Sequence, residues 1–283
     1  MQDISAHVTN SSIKIGDYTV TAFSDGAFQT TIDVTVGIDK ETVQKISGKS
    51  LTEPVFLPVN AFLIEGRGVR ALVDVGCGDT MGPALGKLPE NLVAAGKSLD
   101  SITHVLLTHI HPDHSNGLID GAGNAYYPNA EIAVQDIEYR FGVERDLSEA
   151  KYERQRENMV RAKASVVPYA KQITRIADGE FLPGILAQMS PGHTAGHSVW
   201  IVEGGGESVM IWGDTLHMPF LQLQRPDIGF VFDADPQQAA KSRLQLLDQT
   251  SADGTRVAGM HQDFPGYGYV KRRGDRFVIE QAR

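Results

Sequence analysis

The segment that most restricts this chain is Thr108-His109-Ile110-His111-Pro112-Asp113-His114, which follows directly on the apolar run Ile102–Leu107. The apolar run predicts a buried strand. Where the chain is still extended, residues two apart point the same way, so His109 and His111 can share one metal ion. Pro112 ends the strand and can open a helix, which turns Asp113 and His114 toward a second position nearby. Three imidazoles and one carboxylate so closely spaced demand a fold that brings a strand end to an open edge.

Three more residues of ligand type sit at the ends of predicted strands. His193 follows Leu186–Met189, Asp214 follows Met210–Trp212, and His261 follows Val257–Met260. Strand ends on one edge of a layered fold can converge, and the irregular loops there are where active sites are usually built. Five imidazoles and two carboxylates suit two divalent metal ions, zinc most simply, with Mn, Co or Fe also acceptable. His7, His104, His197 and His217 complete no ligand set and read as core or surface residues. His217, three positions after Asp214, is the best of them for supporting a ligand from behind.

The rest of the chain reads as layered α/β structure. Tyr18–Phe23 alternates as a strand that Ser24-Asp25-Gly26 ends in a turn, and Asn60–Glu65 with Val69–Val75 flank Gly66-Arg67-Gly68 as a hairpin. Asp79–Gly96 has helical spacing with Pro89 interrupting it, and Leu147–Val166 reads as a largely exposed helix. Glu131–Val134, Ile185–Met189, Ser198–Val202, Val209–Trp212 and Val257–Met260 read as short strands. Pro236–Leu247 reads as a helix with Asp235 at its N-cap. Two packed sheets covered by helices, in one domain over 1–283, accommodate this order.

A formal charge of −9 and the absence of a Lys/Arg cluster beyond Lys271, Arg272 and Arg273, read as a solvated turn, exclude a large nucleic-acid surface. Cys77 is the only cysteine. It allows no intrachain disulfide, and its place after an apolar run reads as packing rather than reactivity. No basic segment followed by an apolar run opens the chain, and no stretch of membrane-spanning length occurs; a cytoplasmic protein without a membrane partner is expected.

The motif HIHPDH resembles the HxHxDH signature of the metallo-β-lactamase superfamily, and VDVG, PGHTAGH, WGDT and GMHQDF follow in the family's order. The resemblance covers nearly the whole chain and implies an αββα sandwich. It implies that His109, His111 and His193 hold one metal, that Asp113, His114 and His261 hold the other, and that Asp214 bridges them. Asp74, in VDVG, matches the family's acidic residue after its second strand, and an orienting hydrogen bond to a ligand histidine is expected of it. YTVTAFSDGAF, LLTHIHPDHSNGL, YPNAEI, SPGHTAGHS, WGDTLH and HQDFPGYG are most similar to the branch of methyl parathion hydrolase and related lactonases.

The resemblance implies hydrolysis of a small-molecule substrate. A hydroxide shared by two metals would attack a carbonyl or phosphoryl centre, with Asp113 as ligand and proton acceptor and Asp214 as bridge. Neutral esters or lactones are the expected substrates, with phosphotriesters as a side activity. Residues 215–220 hold no tyrosine, whereas acyl-homoserine lactonases commonly supply one shortly after the bridging Asp. Phe220, Phe230, Phe232 and Phe264 are candidates for an apolar pocket. The competing functions are a glyoxalase II-like thioesterase, a mononuclear-iron sulfur dioxygenase and a non-catalytic metal-binding scaffold. Related hydrolases suggest a homodimer.

Overall fold

A computed structural model describes residues 10–150 and 153–281, without the side chain of residue 154. His7 lies outside the described residues. Two seven-stranded sheets form the centre. The first runs, in spatial order, Asn10–Ile15, Tyr18–Thr31, Pro54–Gly66, Val69–Val73, His104–Leu106, Glu131–Gln135 and Ile173–Ile176. Its first four strands are antiparallel neighbours and its last four parallel ones. The second runs Arg276–Gln281, Tyr267–Arg273, Arg256–Ala258, Glu207–Ile211, Ser198–Gly204, Ile185–Met189 and Gly179–Leu182. Only Glu207–Ile211 and Arg256–Ala258 pair in parallel there.

Strand alternation divides the apolar residues between the faces. Phe62, Ile64 and Leu106 of the first sheet pack with Trp200, Ile211 and Ala258 of the second. Their neighbours Leu63 and Val105 point outward onto Leu88, Leu92, Ala162 and Val166 of the helices Leu88–Ala94 and Glu153–Val166. On the opposite outer face Val199 and Met210 meet Leu246 and Leu247 of Pro236–Asp253. The layers are helix, sheet, sheet, helix, the αββα arrangement expected. Among the described residues, no helix is long and apolar enough to cross a membrane.

Several local expectations need correction. Ser24-Asp25-Gly26 is a bulge inside the long strand Tyr18–Thr31, not a turn. The bulge turns Asp25 out of the ladder, where its buried carboxylate accepts hydrogen bonds from the backbone N–H of Cys77, Gly86 and Leu88. Gly26 has φ of 119°, and a Cβ there would meet Ala84 O at 2.1 Å. Pro89 does not interrupt a helix over 79–96 but starts a shorter one, Leu88–Ala94, as a residue whose missing N–H is harmless in a first turn. The helix expected from Leu147 begins at Glu153 among the described residues, and it buries Met159, Ala162 and Val166. Lys271, Arg272 and Arg273 end the strand Tyr267–Arg273 instead of forming the turn, which falls at Gly274.

Candidate metal centre

Strand ends from both sheets deliver the site. Beyond Val69–Val73, Asp74 takes a left-handed conformation with φ of 56°. From there its Oδ1 accepts the Thr108 N–H at 2.8 Å and its Oδ2 accepts the Thr108 hydroxyl at 2.7 Å. Pro112 opens the short helix Pro112–Ser115, and this turn swings His114 back until its Nδ1 is 2.7 Å from Asp74 Oδ2. The carboxylate thus fixes both ends of the histidine-rich segment.

Asp214 stands in the middle. Its Oδ2 is 3.1 Å from His193 Nε2 and 3.7 Å from His109 Nε2, while its Oδ1 is 3.0 Å from His114 Nε2 and 3.2 Å from His261 Nε2. His193 Nε2 lies 2.8 Å from His111 Nδ1 and 3.2 Å from His109 Nε2. Asp113 Oδ2 lies 3.6 Å from His114 Nε2 and 3.5 Å from His261 Nε2. One donor atom from each of His109, His111, His193 and Asp214 lies within 4.8 Å of the others, and the same holds for Asp113, His114 and His261. These two groups contain the residues that the sequence resemblance assigns to two metals, and both could hold an ion.

The donor chemistry fits such ions. His114 Nε2, His261 Nε2 and Asp214 Oδ1 are buried without a hydrogen-bond partner, although they crowd together. Buried polar atoms are usually paired, so a cluster of imidazole nitrogens and a carboxylate oxygen converging on one point without other partners fits a cation. The outward nitrogens of His109, His114, His193 and His261 are engaged. His114 Nδ1 meets Asp74, His193 Nδ1 meets Asp233 Oδ1 at 2.9 Å, His261 Nδ1 meets Pro58 O at 2.7 Å, and His109 Nδ1 meets Thr108 Oγ1 at 3.1 Å. With an ion bound, a proton donated outward at Nδ1 would leave Nε2 of these four rings free to face the metal, as metal-binding histidines require. Burial, reinforced by the neighbouring His193, pushes His111 down to about 3 and so keeps it an uncharged donor. Burial opposes a proton on His193 as well, but the charges of Asp214 and Asp233 outweigh it and raise that group to about 9.

His217 is drawn into the centre, its Nε2 3.0 Å from Asp214 Oδ2 and its ring stacked on His261 at 5.3 Å. His197 is a packed residue: its Nδ1 donates to Ser190 O, and its Nε2 accepts the Asp214 N–H at 3.0 Å. His104 is half-buried beside Glu131, away from the centre. Cys77 is fully buried, and burial together with Asp25 drives its thiol far above the ordinary range.

Two buried carboxylates beside the centre, Asp233 and Glu138, escaped the sequence reading. Asp233 accepts from His193 and from the Phe230 N–H. It is two positions before the cap residue Asp235, which drew attention to the helix start instead. Glu138 follows the strand Glu131–Gln135, the neighbour of the strand that delivers His109, and that adjacency was its available signal.

A cavity of about 960 Å³ opens onto His111, Asp113, His193, Asp214, His217 and His261. Phe28, Phe56, Met81, Leu85, Phe141 and Phe232 supply apolar wall. Of the four phenylalanines expected there, only Phe232 lines this cavity. Phe230 is buried against the His217 ring, Phe264 packs on the inter-sheet core, and Phe220 lines a smaller recess of about 260 Å³. The cations on the wall are Arg145, paired with Glu149 at 3.4 Å, and Arg161, which donates to Thr80 O at 2.9 Å.

Comparison with known proteins bears on the family and the fold. The family model described as Metallo-beta-lactamase superfamily matches residues 54–261. An N-acyl homoserine lactonase of Bacillus thuringiensis is 26% identical over 213 residues, covering 68% of this chain and 76% of the relative. Among solved structures, the hydrolase AbOPH of the beta lactamase superfamily superposes with a TM-score of 0.92 at 26% identity, over 99% of both chains. AidC, a dizinc quorum-quenching lactonase solved with its product N-hexanoyl-L-homoserine, superposes with a TM-score of 0.90 at 24% identity, over 97% of both chains. The chain is a metal-dependent hydrolase that belongs to the metallo-beta-lactamase superfamily.

Proposed function

We propose that this enzyme opens neutral lactones and aryl esters at a two-metal centre, with aryl phosphotriesters as a side activity. The observation that carries the reading is Asp214, whose two oxygens face separate donor groups at the floor of a largely apolar cavity. His109, His111 and His193 would hold one ion and Asp113, His114 and His261 the other, with Asp214 shared. When bound, the two ions supply an activated water and an electrophile for the developing oxyanion. Zinc fits the imidazole-rich donors most simply.

The chain's own residues then do the rest. Phe28, Phe56 and Phe232 take up the apolar part of the substrate and exclude bulk water around the scissile bond. Asp113 lines the cavity and is placed to take a proton at a carboxylate oxygen. Of the two wall arginines Arg145 is ion-paired with Glu149, whereas Arg161 meets the Thr80 carbonyl and keeps its charge, and most of the wall around the donor groups is apolar. This favours uncharged substrates over a glutathione thioester. The named activity of the Bacillus thuringiensis relative supports the lactone, and the AbOPH likeness supports a hydrolase of the same build. Residues 1–283 are read as one domain because the inter-sheet core draws on both halves of the chain.

The test is a parallel screen of zinc-loaded protein against homoserine and aliphatic lactones, aryl esters, aryl phosphotriesters, glutathione thioesters and β-lactams, with metal content measured alongside. Turnover of lactone or aryl ester with two ions per chain is expected. Turnover of the thioester alone would overturn the substrate, and one ion per chain in fully active protein would overturn the shared centre.

A further inference from the structure

Glu138 is 1% exposed and takes no part in the two donor groups, yet it touches both loops that carry the first of them. Its Oε1 accepts the N–H of Ile110, the residue between His109 and His111, at 2.8 Å. Its Oε2 accepts the Thr194 hydroxyl at 2.6 Å and the Gly196 N–H at 3.0 Å, from the loop that begins at His193. One carboxylate therefore ties the segment after Leu107 to the segment after Met189.

The approach is close enough to require glycine on the far side. A Cβ at position 196 would meet the Glu138 backbone nitrogen at 2.2 Å and its Cα at 2.7 Å. Thr194 and Gly196, which flank Ala195 in the stretch HTAGH, thus share one acceptor, and both contacts are to a residue nearly sixty positions earlier in the chain.

An ionised carboxylate only accepts, and three donors converge on this one with charge-assisted strength. The spacing it sets matters because His111 Nδ1 and His193 Nε2, on the two tied loops, stand 2.8 Å apart and would have to address one ion. The other donor group has supports of its own, Asp74 behind His114 and Pro58 O behind His261.

We infer that Glu138 is a positioning residue that holds His109 and His111 in register with His193, and so sets the affinity of that half of the centre alone. The inference rests on the two-metal reading above. Glu138→Gln preserves shape but turns an amide N–H₂ toward one loop's donor, so that one tie becomes a repulsion.

The experiment is a titration of zinc-loaded wild-type and E138Q protein with a chelator of graded strength, followed by elemental analysis and anomalous scattering from crystals. In E138Q one ion should be lost at roughly 10–100-fold lower chelator strength, the scale found for partners that orient metal ligands. The ion that stays should lie among Asp113, His114 and His261. Unchanged affinity for both ions in folded E138Q, or equal weakening of both, would overturn the inference alone. Wild-type protein with no second ion would overturn the proposed function instead. Should E138Q not fold, Thr194→Val removes a single hydroxyl donor, and a smaller weakening at the same half is expected; no weakening there overturns the inference.

Discussion

Asp74 Oδ2 lies 2.7 Å from His114 Nδ1 and equally close to the Thr108 hydroxyl, so one fully buried carboxylate orients a candidate metal ligand and anchors the strand end that delivers His109 and His111. Asp74 also sits at φ of 56°, where Asp and Asn are tolerated and most other side chains are not. Asp74→Asn therefore tests the charge without new backbone strain. It should weaken metal binding by about 10–100-fold. Asp74→Ala should do the same and lose in addition about 1–3 kcal/mol of stability to the strained backbone. Chelator titration and urea unfolding of both variants check this; equal stability of the two would show that the backbone conformation carries no penalty.

Arg243 is buried on Pro236–Asp253 and donates to Thr215 O at 2.7 Å, Pro226 O at 2.6 Å and Ile228 O at 3.0 Å. It closes the loop that starts at Asp214 onto the outer helix, and burial holds its guanidinium down at about 10. Arg243→Met leaves Thr215 O and Pro226 O without their donor, at about 1–3 kcal/mol each where no water replaces it, while Ile228 O still accepts from Gln222 Nε2 at 3.1 Å. Destabilisation of at least about 2 kcal/mol is expected in urea unfolding. A loss below about 1 kcal/mol would show that water enters and substitutes for the guanidinium.

Arg243 also marks the limit of what the sequence discloses. The seven ligand-type residues were legible because their types are rare together and each follows an apolar run that ends at a sheet edge. Asp235 and Pro236 announced a helix start because capping is local. Glu138, Asp233 and Arg243 carry no such signal: each is an ordinary charged residue until the fold places a partner against it from 40 or more positions away in the case of His193 and Asp233, or from Thr194 in the case of Glu138. The bulge at Asp25 was misread for the same reason, since Ser-Asp-Gly favours a turn until distant backbone donors at 77, 86 and 88 claim the carboxylate. The cavity wall was the least legible part. Phe28 and Phe56 lie on strands whose alternation is compatible with either face, and Phe141 lies in a short helical turn beyond Tyr139.

Cys77 is fully buried, with its Sγ 3.2 Å from Asp25 Oδ2, so a thiolate there would be both desolvated and beside a carboxylate. Native protein should resist a water-soluble disulfide reagent, while protein in denaturant should release one thiol equivalent per chain. Cys77→Ser should retain turnover within about threefold, because no candidate ligand contacts the sulfur. Labelling of the native chain at the rate of a free thiol would place Cys77 in an opening that the fold does not contain.

Asp214 touches every part of the centre, since Oδ1 faces His114 and His261 and Oδ2 faces His193, His109 and His217. Without ions, its charge is what offsets the five imidazoles turned toward it; with ions, it would be the ligand both share. Asp214→Ala should therefore lower second-metal affinity and turnover together, which stoichiometry and steady-state rates measure side by side. Thermal unfolding adds a readout independent of substrate. A ligand that binds the folded state alone stabilises it by about 2.7 kcal/mol at a hundredfold excess over its dissociation constant, so added zinc should raise the melting temperature of chelated wild-type protein. The rise should be smaller in Asp214→Ala, where one donor is lost from each group. Equal zinc-dependent stabilisation of the two proteins, with two ions bound in both, would mean that Asp214 is a structural carboxylate and that the two donor groups act independently.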